Sequence, residues 1–250
     1  MVFQGLKEKK MNLWDQLAFE YDPKSPTRRL WARLSVWVDI FEKALEGCCK
    51  VLDVGCGAGF PAVFLAKRFE LFGLDLSKNM LSIAEKRAKE NKVKINFVQA
   101  DSHLLPFKDN AFDGVYCKFA IWPLKEPKKA ISEMVRVLKP DGRLVVVEVD
   151  RKKKGGYTPS LKAKLIYSVY RFFKYRILRQ PDTSRIWRFL IEATKNNPLV
   201  NLSTITQSLE ESGCKVIEVQ KDVKERTYTS FGRLMGSDHE DYFLCIAKKR

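Results

Sequence analysis

Asp53, Gly55, Gly57 and Gly59 stand at alternate positions in the run Val51-Leu52-Asp53-Val54-Gly55-Cys56-Gly57-Ala58-Gly59-Phe60. Glycine at every second position lets a chain turn tightly and lets a ligand meet the backbone with no Cβ in the way. The Asp53 carboxyl falls at the end of the apolar run that feeds this turn. Further on, Asp75 closes a second short apolar run, Leu71-Phe72-Gly73-Leu74. An acidic residue about 20 positions beyond a glycine turn is placed to accept both hydroxyls of a ribose. The chemistry these residues offer is the binding of a nucleoside.

To hold such a site, the chain must bring two strand ends and a helix start together. The hydrophobic pattern supplies them. Strands are expected at 50–54, 71–74, 94–99, 112–117 and 143–149, alternating with helices at 60–69, 78–91 and 125–137, with a short turn from His103 to Pro106. Strands that alternate with helices imply right-handed crossovers and a parallel sheet. Beyond these come a helix from Asn201 to Glu211, with Ser203 as its expected N-cap, and two strands at 215–219 and 242–247.

The pattern Asp-x-Gly-x-Gly-x-Gly resembles motif I of the class I S-adenosylmethionine-dependent methyltransferases. Four later stretches continue the resemblance in order. They are Asp75-Leu76-Ser77, Gln99-Ala100-Asp101-Ser102, Phe112-Asp113-Gly114-Val115-Tyr116-Cys117, and Leu138-Lys139-Pro140-Asp141-Gly142-Arg143-Leu144 running into Val145–Glu148. Together they cover about residues 47–150. A nicotinamide-dependent dehydrogenase spaces its third glycine one residue later and lacks the Pro-Asp-Gly turn. The resemblance implies a Rossmann-like α/β fold with a seven-stranded, mostly parallel sheet, helices on both faces, and an antiparallel last pair of strands. It also implies residue roles. Gly55 and Gly57 would let the backbone meet the cofactor, and Asp53 would orient the loop or hold the amino group. Asp75 would bind the ribose and Leu76 would pack on the adenine. Asp101 would accept the adenine amino group, Ser102 would donate to a ring nitrogen, and Lys118 would contact the methionine portion.

The N-terminal stretch Trp14-Asp15-x-x-Ala18-x-x-Tyr21-Asp22 resembles the Phe-Asp-x-x-Ala-x-x-Tyr-Asp signature of the ubiquinone/menaquinone C-methyltransferases and their relatives. That resemblance makes Tyr21 a candidate to cover the methionine end of the cofactor; an aromatic core contact is the alternative. The segment reads as helix broken at Asp22-Pro23-Lys24-Ser25-Pro26. A second helix follows, with Leu30, Leu34, Trp37, Val38 and Phe41 on one face and Gly47 at its close.

A single domain is expected: a helical cover over 1–46, a cofactor-binding core over 47–150, an insertion over 151–200, and a closing helix and strand pair over 201–250. The insertion opens on Arg151-Lys152-Lys153-Lys154-Gly155-Gly156. It continues into an amphipathic helix with Leu161, Leu165, Val169, Phe172 and Phe173 on one face. Trp187, Phe189, Leu190 and Ile191 then suggest another helix before Asn196-Asn197-Pro198. Of the net charge of +16, +11 lies in residues 151–195, which hold thirteen Lys or Arg and two acids. One reading is a lid whose apolar face covers the site. The other is a basic amphipathic surface for anionic lipid or nucleic acid.

Composition narrows the class. Hydrophobic residues at 45% and charged residues at 30% are those of a globular protein. No run of about 18 apolar residues suggests a transmembrane helix, and Met1 to Lys10 lacks the apolar stretch of a secretory signal. Six cysteines without a Cys-x-x-Cys pair and only two histidines argue against a metal site. Reduced thiols and a cytoplasmic location are therefore expected.

No general base is identifiable. His103 and His239 read as polar surface residues. Trp122, Tyr157, Tyr228 and Arg233 are candidates for a substrate pocket. Cys117 falls where cytosine-5 methyltransferases place their nucleophile but lacks the preceding proline, and Cys-Lys-Phe-Ala at 117–120 is not the amino-group methyltransferase motif. The function these readings support is methyl transfer from S-adenosylmethionine, yielding S-adenosylhomocysteine, to carbon or oxygen of a small acceptor with apolar or lipid-like character. The alternative is a methyltransferase acting on RNA or protein docked on the basic segment. A binding protein using the cofactor only structurally is a third class. The oligomeric state is left open.

Overall fold

The computed structural model describes residues 13–21, 32–151, 161–177, 179–230, 232 and 241–250. Tyr157, Arg233, His239 and the break at Asp22–Pro26 lie outside them.

Seven strands form one sheet in the order β3-β2-β1-β4-β5-β7-β6. They are β1 (Lys50–Val54), β2 (Glu70–Asp75), β3 (Ile95–Gln99), β4 (Phe112–Lys118), β5 (Leu138–Val149), β6 (Cys214–Gln220) and β7 (Tyr242–Lys249). Strands β1 to β5 pair in parallel, while β7 runs antiparallel between β5 and β6. The order turns outward on both sides of β1 and β4, so their carboxyl ends open onto a crevice, the place where such sheets bind ligands. The expected parallel sheet and antiparallel end pair are both present.

Period-two alternation splits the core in two. On β4, Val115 and Cys117 pack with Leu52, Val54, Met134 and Ile205 on one face. Tyr116 points the other way, into a cluster with Trp37, Phe41, Val51 and Val145. Trp37 and Phe41 come from α1 (Leu34–Ala44), whose apolar side covers that face.

Several boundaries depart from the pattern. The helix expected at 60–69 is regular only over α2 (Ala62–Leu65). Beyond it, the bonds from Lys67 N to Phe64 O and from Arg68 N to Leu65 O span three residues and tighten the turn. The Pro140-Asp141-Gly142 turn is not separate from the strand after it. It lies inside β5 as a bulge, where the register against β4 jumps between Phe112 and Gly114 and Asp141 takes a φ of 62°.

Helices α3 (Lys78–Glu90) and α4 (Pro127–Val137) stand where periodicity places them. In the insertion, α5 (Leu161–Phe172) runs straight into a π-helical turn, Phe173–Ile177, and α6 (Ser184–Thr194) follows. The lid reading had the apolar face of α5 covering the site. Instead Leu165, Val169 and Phe172 are exposed at 67%, 64% and 62%. In the π-helical turn Lys174 pairs with Glu20 at 2.6 Å.

Helix α7 (Leu202–Glu211) begins one residue after Asn201, and the cap is Asn201 rather than Ser203. The Asn201 side chain accepts from Thr204 N at 2.9 Å, and the Thr204 hydroxyl accepts from Asn201 N at 3.0 Å. This reciprocal pair satisfies two N-terminal amides, which Ser203, already inside the first turn, cannot do. A short α8 (Val223–Thr227) precedes the Ala32–Tyr228 bridge. Asn201→Ala is expected to lower the unfolding free energy by about 1 kcal/mol in urea titrations, with Ser203→Ala within about 0.5 kcal/mol of the parent.

Candidate active site

The crevice at the ends of β1, β2 and β4 is a pocket, and its wall brings together eight of the nine residues singled out from the sequence. Tyr21, Gly55, Gly57, Asp75, Leu76, Asp101, Ser102 and Lys118 all line it. Asp53 does not. It is 2% exposed, behind the glycine turn, and the Tyr116 hydroxyl donates to its Oδ2 at 2.7 Å. The parallel register sets Asp53 directly beside Tyr116, so both side chains lie on the same face. Burial pushes the Asp53 carboxyl up to about 8, against the pull of the Tyr116 hydrogen bond and the Lys118 charge. Of its two expected roles, this position suits orienting the loop.

Asp75 holds the two binding loops together. Its Oδ2 accepts the Gly57 amide at 2.8 Å and its Oδ1 the Ser77 amide at 2.9 Å. Burial raises its pKa although three backbone amides pull the other way. Gly57 sits at φ 52°, and a Cβ there would meet nothing closer than Met80 Sδ at 4.0 Å, so its backbone is open to the pocket. Gly55, at φ 75°, is closed instead: an added Cβ would stand 2.3 Å from Ala120 Cβ.

Arg87 on α3, which the sequence reading passed over, is 5% exposed and donates to Ala58 O at 2.8 Å, pinning the turn from outside. A helical Arg among Lys and Glu carries no signal that it points inward.

Asp101 is shared. Its Oδ1 accepts both the His103 amide, at 3.0 Å, and His103 Nδ1, at 2.7 Å. His103 is therefore no surface residue. It is only 19% exposed at its side chain, because the bond to Asp101 folds it back onto the loop. Lys118 lies over the rings of Trp37, Phe60 and Phe119, 5.0–5.7 Å from their centroids, so its ammonium is held on aromatic faces at the pocket wall.

The N-terminal segment closes the pocket from above. The Ser77 hydroxyl donates to Asp15 Oδ1 at 2.5 Å and the Asn79 amide donates to the same oxygen at 3.0 Å, fixing the segment to the start of α3. Trp14 and Tyr21 then line the pocket while packing with Ala18, Ala58 and Met80. Tyr21 is thus both a pocket residue and a packing contact. Trp14 meets Trp122 and Trp187 edge-on at 6.2 and 6.1 Å, and the Arg151 guanidinium lies 4.8 Å from the Trp122 ring centre. Glu20 fastens the insertion to this roof. It accepts from Lys174, from the Thr183 hydroxyl and from Trp187 Nε1. Tyr228 belongs to the core, against Tyr242.

Glu148, at the end of β5, is fully buried and shapes the far wall. Its Oε1 accepts the amides of Ile121 at 2.7 Å and Trp122 at 3.2 Å, holding the loop that carries Phe119, Ala120, Pro123 and Leu124 into the pocket. Burial pushes Glu148 up to about 7. Cys117 also lines the pocket, but burial and then the Glu148 charge hold its thiol well above the ordinary value, so it stays protonated and is no nucleophile. Among the described residues no group of three His, Cys, Asp or Glu side chains could hold a metal.

A glycine turn joined to one acid at the end of β2 and a second after β3, in this strand order, is the arrangement that the sequence resemblance to class I methyltransferases implies. The comparisons agree: residues 52–146 match the family described as a methyltransferase domain. The chain is similar to the demethylmenaquinone methyltransferase of Thermus thermophilus, 37% identical over 144 residues that cover 56% of this chain and 60% of that one. It is also similar to a ubiquinone/menaquinone biosynthesis C-methyltransferase of Idiomarina loihiensis, 26% identical over 88% of this chain and 83% of that one. A solved S-adenosylmethionine-dependent methyltransferase of Aquifex aeolicus shares the fold, with a TM-score of 0.60 at 18% identity over 94% and 98% of the two chains. The chain spans less than two thirds of the length of the curated relatives that it matches first.

The buried carboxylates give a pH dependence. Glu148 titrates at about 7 in the folded chain against an ordinary 4.5, so the native state holds the extra proton between those values. Stability therefore falls as pH rises from about 4.5 to 7, by at most roughly 3 kcal/mol from this group. Glu148→Gln keeps an acceptor for Ile121 and Trp122, and denaturant melts across that range should show a flatter pH profile than the parent.

Proposed function

We propose that this chain transfers a methyl group from S-adenosylmethionine to a ring carbon of a small, apolar, hydroxylated aromatic acceptor. One observation carries the reading: a single pocket is lined by the open Gly57 backbone, by Asp75, Asp101 and Ser102, and by Lys118 under a tryptophan roof. The residues fit the cofactor. Asp75 would take the ribose hydroxyls, Asp101 the adenine amino group through its second oxygen, and Ser102 a ring nitrogen. Leu76 would pack on the adenine, and the Lys118 ammonium would meet the methionine carboxylate. When bound, the cofactor supplies an electrophilic methyl on a sulfonium, leaving as S-adenosylhomocysteine.

The protein's own task is placement. Holding two reactants in line is worth roughly 7–11 kcal/mol of barrier. Asp75 joins the loops that set one partner, and Glu148 fixes the loop that sets the other. Trp14, with Trp122 and Trp187 edge-on beside it, offers flat apolar surface to a ring and excludes water. The named activities of the quinone C-methyltransferase relatives support a carbon acceptor of this kind. A cytoplasmic location belongs to the same reading, supported by six free thiols. No described helix is long and apolar enough to cross a membrane.

The test uses the full chain, radiolabelled S-adenosylmethionine and a fractionated cell extract. Label is expected in the organic-soluble fraction. Asp75→Asn, which cannot accept both amides, should weaken cofactor binding about 10- to 100-fold by calorimetry and lose the label. Label in nucleic acid or protein would overturn the reading in favour of a macromolecular acceptor, and cofactor binding without any labelled product would overturn it in favour of a binding protein. Glu20→Gln leaves the cofactor loops untouched while loosening the insertion from the roof. It should raise the KM for the acceptor several-fold with little change in cofactor affinity.

A further inference from the structure

The outer side of α5 is apolar and exposed. Ten large apolar side chains are exposed on the described surface, and seven of them lie between Leu165 and Ile191. They coincide with the segment that holds +11 of the chain's +16 charge. Neither feature alone would say much, since apolar residues are common on surfaces and charge runs are usually solvated. Five of these seven apolar side chains and five of the thirteen basic residues fall within Leu161–Ile177, and that overlap is the observation to explain.

The element is turned inside out relative to an ordinary surface helix. Leu165, Val169, Phe172 and Phe173 recur at spacings of three and four, which puts them on one helical face. Ile177 extends the run through the π-helical turn, and all five are between 48% and 67% exposed. In the π-helical turn that follows α5, Lys174 reaches inward to Glu20, with side chains only 11% and 14% exposed. A helix that spends its ion pair inward and its Leu, Val and Phe outward gains nothing from water. Over Leu161–Ile177 there are five Lys or Arg and no acid.

We propose that α5 and its π-helical turn dock this protein on an anionic phospholipid surface, lying in the interface with the apolar face down. Charge and chemistry select that occupant. With Lys174 held by Glu20, a second copy of the chain would set four basic residues of Leu161–Ile177 against four more, with no acid in that stretch to pair them. A nucleic acid would engage the arginines and could stack on Phe172, but it leaves Leu165, Val169 and Ile177 uncovered. An anionic bilayer uses both: headgroups for the basic residues, the acyl boundary for the apolar stripe. The helix is too short and too charged to span the bilayer, so the contact is peripheral. Docking stands independently of the proposed reaction. If that reaction holds, the link is Glu20, which bonds both Lys174 beside α5 and Trp187 at the Trp14 roof, so the acceptor would enter from the lipid side.

The experiment is flotation of the full chain with vesicles of phosphatidylglycerol and phosphatidylcholine in equal parts, against phosphatidylcholine alone, without cofactor or acceptor. At about 0.1 M salt the protein should float with the anionic vesicles at least about tenfold better than with the neutral ones, and less well as salt rises. Both Val169→Asp and Phe172→Asp replace exposed side chains outside the pocket. Each should cut binding at least about tenfold while leaving circular dichroism and S-adenosylmethionine affinity unchanged, and Phe172→Leu should restore it. Failure to float, or flotation indifferent to both substitutions, would overturn the proposal. So would an apolar-face-dependent dimer in lipid-free sedimentation, or tRNA binding that Val169→Asp abolishes. Because no turnover is read, loss of the proposed reaction would leave this result standing.

Discussion

The Asp75 carboxylate is the joint on which the pocket depends. One oxygen holds the glycine turn through Gly57 and the other holds the start of α3 through Ser77. A carboxylate withdrawn from water is costly unless its lone pairs are filled, and the two loops are what fill them. The arrangement is therefore mutual: the loops satisfy the charge, and the charge keeps the loops in register. Arg87 repeats the logic from outside, spending a buried guanidinium on the Ala58 carbonyl.

Two further carboxylates extend the frame away from the sheet. Asp15 and Glu20 lie on the same short N-terminal segment and do different work. Asp15 ties the segment to the cap of α3, while Glu20 receives Lys174, Thr183 and Trp187 from the insertion. A segment of nine described residues thus joins the cofactor side of the pocket to the basic helices. Across the pocket, Glu148 does for the β4 loop what Asp75 does for the glycine turn. The site is built by acids accepting backbone amides, which fixes distances without adding a reactive group. That suits a reaction whose main demand is alignment.

How much of this was legible depended on how local the cause was. The parallel sheet, the glycine turn, Asp75, Asp101 with Ser102, and Lys118 follow from short stretches whose spacing already encodes a strand end or a loop. All but one of the misses are long-range. Asp53 stands behind the pocket because its neighbour across the sheet is Tyr116, 63 residues away. His103 is drawn inward by Asp101, two residues away, a bond that composition does not flag. Glu20, Arg87 and Glu148 have partners far along the chain and no signature of their own.

The sequence by itself determined the α/β class, the order of the elements and the placement of the glycine turn and of the acids after β2 and β3, because hydrophobic period and glycine position act within a few residues. Tertiary structure decided which carboxylates clamp loops and which face the pocket, since that turns on cross-strand register and on which groups burial leaves without water. It also decided the direction of α5. Periodicity shows that a helix has an apolar face, but only the fold says whether that face meets the core. Here Leu165, Val169 and Phe172 stay exposed.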